Sequence, residues 1–169
     1  MRYYSISPYK FKVSYADNIL IITSISIVFV NLFQSEYKMK RVITFGTFDV
    51  FHVGHVNILK RARSLGTELI VGVSSDALNY SKKQRYPIYC QEERVEIISS
   101  LKFVDHVFIE ESLELKLNYI KKYNADLLVM GNDWEGRFDW VKNECEVLYL
   151  PRTPSISTTE IIEIVRRAR

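Results

Sequence analysis

Two of the chain's three histidines share one short motif, His52-Val53-Gly54-His55, which follows closely on Gly46-Thr47-Phe48-Asp49. At a helix start, residues three apart lie on one side, so both imidazoles can address a single ligand. The first helical turn also offers unpaired N–H groups and a positive dipole end, both suited to phosphate. Gly46 suits a sharp turn, and Gly54 carries no side chain to hold a phosphate away from the backbone. Donors converging on one phosphate stabilise the negative charge that builds as an oxygen nucleophile attacks it. The competing reading is half of a metal site. Zinc needs further His, Cys or carboxylate ligands at suitable spacing, and His106, Cys90 and Cys145 supply no obvious set. Nucleotidyl transfer is the better reading, with no protein-built metal centre.

A second group stands near the C-terminus, where Arg152-Thr153 precedes Ile156-Ser157-Thr158-Thr159-Glu160. Ser157 with Glu160 three residues later is a capping-box pattern, which alone means only a well-started helix. An arginine fork and several hydroxyls just upstream turn it into a second anion cradle. It suits β- and γ-phosphates, while the histidines address the α-phosphate. Lys83 and Arg85 are expected to hold the triphosphate and an acceptor's phosphate from the other side. Taken alone, they read equally well as solvated surface charge.

These groups need elements to position them, and from Met39 onward the pattern supplies those. Arg41–Phe45 is a β-branched and aromatic strand ending at Gly46. Val56, Ile58, Leu59, Ala62 and Leu65 recur at helical spacing from about Gly54, with Gly66 as the stop. Glu68–Val73 is a buried second strand, which completes a βαβ unit and implies a parallel sheet. Asp76–Tyr89, polar and basic, reads as a surface loop. Helices follow at Gln91–Ser100 and Leu113–Tyr123, strands at His106–Ile109, Leu127–Met130 and Glu146–Leu150, and a last helix from about Thr158 to Ala168. This alternation predicts a doubly wound α/β domain. In such folds ligands sit beyond the carboxyl ends of the strands, where both motifs would lie.

At 169 residues, 47% hydrophobic and 25% charged, the chain suits one domain with a single core. The net charge of +3 divides into +2 over residues 1–38 and +1 over the rest. A near-neutral body carries no footprint for a nucleic-acid groove. Two cysteines 55 residues apart exclude a disulfide framework. Both are expected to be packing residues in a reducing, cytoplasmic compartment.

Residues 1–38 form an extension to a domain spanning 39–169. An uncharged stretch runs from Asn18 to Ser35, with residues 19–33 as its apolar centre. Three readings apply: a weak membrane contact, a β-rich or poorly ordered arm, or an over-long reading of a gene whose product starts at Met39. The third is preferred, because Met39-Lys40-Arg41 leads straight into a strand that needs nothing in front of it.

The order strand, Gly-Thr-Phe-Asp, His-x-Gly-His resembles the HxGH nucleotidyltransferase superfamily, and Arg152 with Ile156-Ser157-Thr158-Thr159-x-Ile161 resembles the closing motif of its cytidylyltransferases. The block Met130-Gly131-Asn132-Asp133-Trp134-Glu135-Gly136-Arg137-Phe138-Asp139 is similar to the glycerol-3-phosphate cytidylyltransferases in particular. The likeness spans essentially Met39 to Ile162. It implies a Rossmann-like nucleotidyltransferase fold, CTP and glycerol 3-phosphate as partners, a homodimer, and a place in teichoic-acid or related polymer synthesis. It also implies that Asp133 and Trp134 lie near the cytosine or acceptor pocket, with Gly131 beside them. Mg²⁺ is expected with CTP, held largely by phosphates and water, with Asp49 as an outer contact or a turn cap. The chain departs from the pattern at Lys102, where the family has Arg, at Pro154-Ser155 in place of Glu-Gly, and at Asn132 in place of Asp. Lys102 keeps the charge but loses the planar fork.

Overall fold

The computed structural model describes residues 39–154 and 156–168. The expectations for residues 1–38, including membrane contact by 19–33, fall outside the described residues.

Five strands form one sheet in the order β3-β2-β1-β4-β5, every pair parallel. They are β1 Arg41–Gly46, β2 Glu68–Ser74, β3 His106–Glu110, β4 Leu127–Gly131 and β5 Glu146–Leu150. The helices are α1 Val53–Arg63, α2 Asp76–Lys83, α3 Gln91–Ser99, α4 Lys116–Lys122 and α5 Thr158–Arg167. Short 3₁₀ turns at Asn132–Trp134 and Asp139–Val141 join β4 to β5.

Period-two alternation in buried strands sends neighbouring side chains to opposite faces. On one face Val42, Leu69, Val71, Leu127 and Val129 pack against Leu59 and Ala62 of α1 and Ile98 of α3. On the other, Ile43, Phe45, Ile70, Leu128 and Met130 meet Ile120 of α4 and Phe138, Val141 and Cys145. Each fully buried side chain of this kind contributes about 1.5–3 kcal/mol. Helices thus cover both faces, and the expected doubly wound α/β architecture is the one present. The chain leaves central β1 toward β2 and returns on its other side as β4, which opens a crevice at the carboxyl ends of those strands.

Three expectations need correction. Residues 76–83 are helix α2, not loop; only 84–90 are irregular. Ser75 caps it by accepting from Leu78 N–H at 3.0 Å, and Leu78 and Asn79 are its buried side. The polar, lysine-rich remainder conceals that narrow face. The helix expected from Leu113 begins at Lys116, because Leu115 has no side-chain cap and residues 112–114 form their own turn. Cys145 is buried as expected, but Cys90 is exposed at the start of α3 and packs against no core.

Candidate active site

His52 occupies the cap position of α1, with extended backbone. Its Nδ1 accepts the Gly54 N–H at 3.1 Å, and His55 Nδ1 accepts the His52 N–H at 3.4 Å. A nitrogen that accepts from a backbone N–H carries no proton, so each ring holds its proton on Nε2. The rings stack with centroids 3.9 Å apart, and His55 also packs against Phe51 and Phe48. Burial drives the His55 pKa down to about 3, helped by His52 and Arg152 and opposed by Asp49. His52 is lowered too, first by burial and then by Arg152. At neutral pH the pair is therefore two uncharged donors held by their own helix start.

Gly54 serves the histidine rather than an open phosphate path. A Cβ there would lie 2.8 Å from His52 Cε1 and 3.0 Å from Ile156 Cγ2. The missing side chain admits both the imidazole and the segment before α5.

The turn leaving β1 has left-handed backbone at Phe48 (φ 54°) and Val50 (φ 44°). A β-branched residue in that region is strained, and such strain persists only where the surroundings over-determine it. Here they do. The Asp49 carboxylate accepts the N–H groups of Ile88 and Tyr89 at 3.0 and 3.1 Å. Its carbonyl accepts the Thr158 hydroxyl at 2.9 Å. Arg94, fully buried, donates to the carbonyls of Thr47 and Ser74 at 2.7 and 2.8 Å and pairs with Asp76. Thr47 Oγ1 and Asn79 meet at 2.6 Å.

Those contacts close a cleft of about 1040 Å³ at the carboxyl ends of the strands. Gly46, Thr47, Phe48, Asp49, His52, Gly54 and His55 line it from β1 and α1. Lys83 and Arg85 border it from the end of α2 and the loop beyond, and Gly131, Asp133 and Trp134 from the end of β4. Arg152, Thr153, Ile156, Ser157, Thr158 and Thr159 complete it ahead of and within α5. Ser157 Oγ accepts the Glu160 N–H at 3.2 Å, which leaves its own proton for a ligand. Arg152 lies 3.9 Å from Asp133 and is mostly exposed. Burial lowers the Lys83 pKa, with Arg85 adding to the effect.

Lys102 is not brought to this cleft. It lies between α3 and β3, exposed, ahead of β3. With every strand parallel, that is the edge of the sheet opposite the strands' carboxyl ends.

Sequence reasoning passed over Lys82, Asn79, Arg94, Glu110, Lys116 and Arg137. Lys82 shares the cleft with Lys83, and its Nζ lies 5.9 Å from the Trp134 ring. Burial lowers its pKa, against an opposing pull from Glu110. The one available signal was Arg94, a lone base within the buried stripe of α3.

Residues 43–164 match the cytidylyltransferase-like family. The chain is 48% identical to glycerol-3-phosphate cytidylyltransferase of Bacillus subtilis (strain 168), over 74% of this chain and 96% of that protein. It is 46% identical to the protein of the same name from Staphylococcus aureus (strain NCTC 8325 / PS 47), over 73% and 92%. A lipopolysaccharide core biosynthesis protein from Thermoplasma volcanium GSS1 shares the fold, with a TM-score of 0.60 at 24% identity over 68% of this chain and 98% of that one.

Proposed function

The chain belongs to the cytidylyltransferase-like family, and from that premise we propose that it is a nucleotidyltransferase that moves the cytidylyl group of CTP onto glycerol 3-phosphate. A phosphate oxygen of the acceptor attacks the α-phosphorus in line. The bond from that phosphorus to the bridging oxygen breaks, its electron pair leaves with pyrophosphate, and CDP-glycerol forms. The acceptor phosphate is already an anion, so no covalent enzyme intermediate and no general base are needed.

One observation carries this reading: the paired imidazoles and the start of α5 border the same cleft, joined by the Thr158–Asp49 hydrogen bond. The two Nε2–H groups suit the α-phosphate, where negative charge grows in the transition state. Arg152, Thr153, Ser157 and Thr158 suit the departing pyrophosphate. Lys82, Lys83 and Arg85 suit the acceptor's phosphate. Held together, these donors lower the barrier by positioning and by charge stabilisation.

Mg²⁺ fits as a companion of CTP. Asp49 and Asp133, two carboxylates bordering the cleft, are engaged by backbone N–H groups and by Arg152, so phosphate and water oxygens would supply most of its ligands. The metal would neutralise triphosphate charge, and Asp49 would reach it only as an outer contact. Among the described residues no helix is long and apolar enough to cross a membrane. A homodimer and a supply of CDP-glycerol to teichoic-acid or related polymers complete the proposal.

Pyrophosphate release by the full chain tests it, with CTP or ATP offered against glycerol 3-phosphate or ethanolamine phosphate. The CTP and glycerol 3-phosphate pair should turn over fastest. Faster turnover of any other pair would overturn the assignment.

A further inference from the structure

The helix that bears the histidines also grips the linker that carries Arg152, at two points the reaction scheme does not use. Gly54 and Arg61 stand seven residues apart on α1, close to two full turns, so they share one face. Gly54 meets Ile156: a Cβ there would lie 3.0 Å from Ile156 Cγ2. Two turns on, the Arg61 guanidinium donates to the Pro151 carbonyl at 2.8 Å, joining residues 90 positions apart. Pro151 and Ile156 lie on either side of Arg152 and Thr153, between β5 and α5. Among the described residues, the bond from Arg61 is the one hydrogen bond that holds 151–154 to the rest of the fold. Pro151 and Pro154 have no N–H to donate, which leaves so short a segment few other ways to be fixed.

Arg152 itself is mostly exposed, and its pairing with Asp133 is long, at 3.9 Å. A long side chain held so loosely depends on its backbone for its aim. Resting on the proposed cytidylyl transfer, we propose that Arg61 is a positioning residue: by holding the Pro151 carbonyl, it aims Arg152 at the triphosphate. Arg61 does not border the cleft; it faces a shallow hollow outside it, together with Asn57 and Lys60. It therefore acts through Arg152, which borders both. One helix thus carries the imidazoles on its first turn and, two turns later, sets the guanidinium that faces them. The histidines register that guanidinium: their pKa values are lowered first by burial and also by the charge of Arg152. Lys60 separates positioning from a general positive field at the phosphates. It carries the same charge one residue away, but its ammonium lies toward Phe103, 6.0 Å from the ring centre.

The test combines calorimetry of CTP binding with steady-state kinetics on CTP and glycerol 3-phosphate, in the full-length protein. Arg61→Met should raise Kd and KM for CTP about 3- to 10-fold, the scale of one hydrogen bond from a charged donor. Its kcat should stay within about twofold, since ground-state binding is what it loses. Lys60→Met should leave CTP affinity unchanged. The double variant Arg61→Met, Arg152→Ala should bind CTP no more weakly than Arg152→Ala alone, because nothing is left to position. Unchanged CTP affinity in Arg61→Met, with folding verified by circular dichroism, would overturn the inference. An equal loss in Lys60→Met, or two losses that multiply in the double variant, would overturn it as well. Should Arg61→Met fail to fold, Arg61→Gln, too short to reach the carbonyl, carries the same expectations. If the unaltered protein binds no CTP, the underlying reaction is wrong, a result distinct from all of these.

Discussion

The Thr158 hydroxyl donates to the Asp49 carbonyl at 2.9 Å, joining residues 109 positions apart. Asp49 sits in the strained turn ahead of the histidines and Thr158 opens the last helix, so one hydrogen bond ties the two phosphate-binding ends together. Thr158→Val keeps the shape and removes the donor. With a hydrogen bond contributing about 0.5–1.5 kcal/mol, KM for CTP should rise about 2- to 10-fold. Steady-state kinetics that show no change in KM would separate this contact from nucleotide binding.

The histidines carry a larger effect. His52→Ala or His55→Ala removes a donor aimed at charge that exists only in the transition state, so kcat should fall by roughly 10²–10³. Each change also removes a backbone hydrogen bond at the start of α1, so thermal melting should be measured alongside. Near-normal kcat in both variants would remove the imidazoles from the chemistry.

Most of this site could be read along the chain, and the reasons for the gaps are physical. The motifs at 46–55 and 152–159 are local, and a parallel sheet carries both to the same edge of the strands. Lys102 misled because the family resemblance was followed over its place in the chain: it precedes β3, and in a parallel sheet that is the end opposite the cleft. Helix α2 was hidden because only Leu78 and Asn79 face inward while Lys82 and Lys83 face the cleft. The Glu110–Lys116 pair was invisible for a different reason: two opposite charges six residues apart look solvated until the fold buries both.

Acid should destabilise the protein through His55. Its pKa in the folded state is about 3, well below the usual value of 6.5, with burial as the main cause. Above pH 6.5 both states hold the ring neutral. As the pH falls from 6.5 toward 3, the unfolded chain takes up the proton and the folded one does not, so stability drops across that window. His55→Gln should flatten that part of the profile, followed by thermal melting at pH 4 to 7. An equal slope in the variant would mean that other groups set it.

Arg94 is a structural hinge of the site. Fully buried, it holds the carbonyls of Thr47 and Ser74 together with Asp76. Arg94→Met leaves those acceptors and a carboxylate without their donor, which should cost about 3–5 kcal/mol of stability. Chemical denaturation measures that cost directly. A loss below about 1 kcal/mol would show that water replaces the guanidinium freely.

The central claim is that two donor groups from distant parts of the chain grip one triphosphate. A crystal structure with CTP bound tests this most directly. It should show the Nε2 atoms of His52 and His55 about 3 Å from oxygens of the α-phosphate, and Arg152 and the α5 hydroxyls on the β- and γ-phosphates of the same molecule. A triphosphate that touches only one of the two groups would contradict the account.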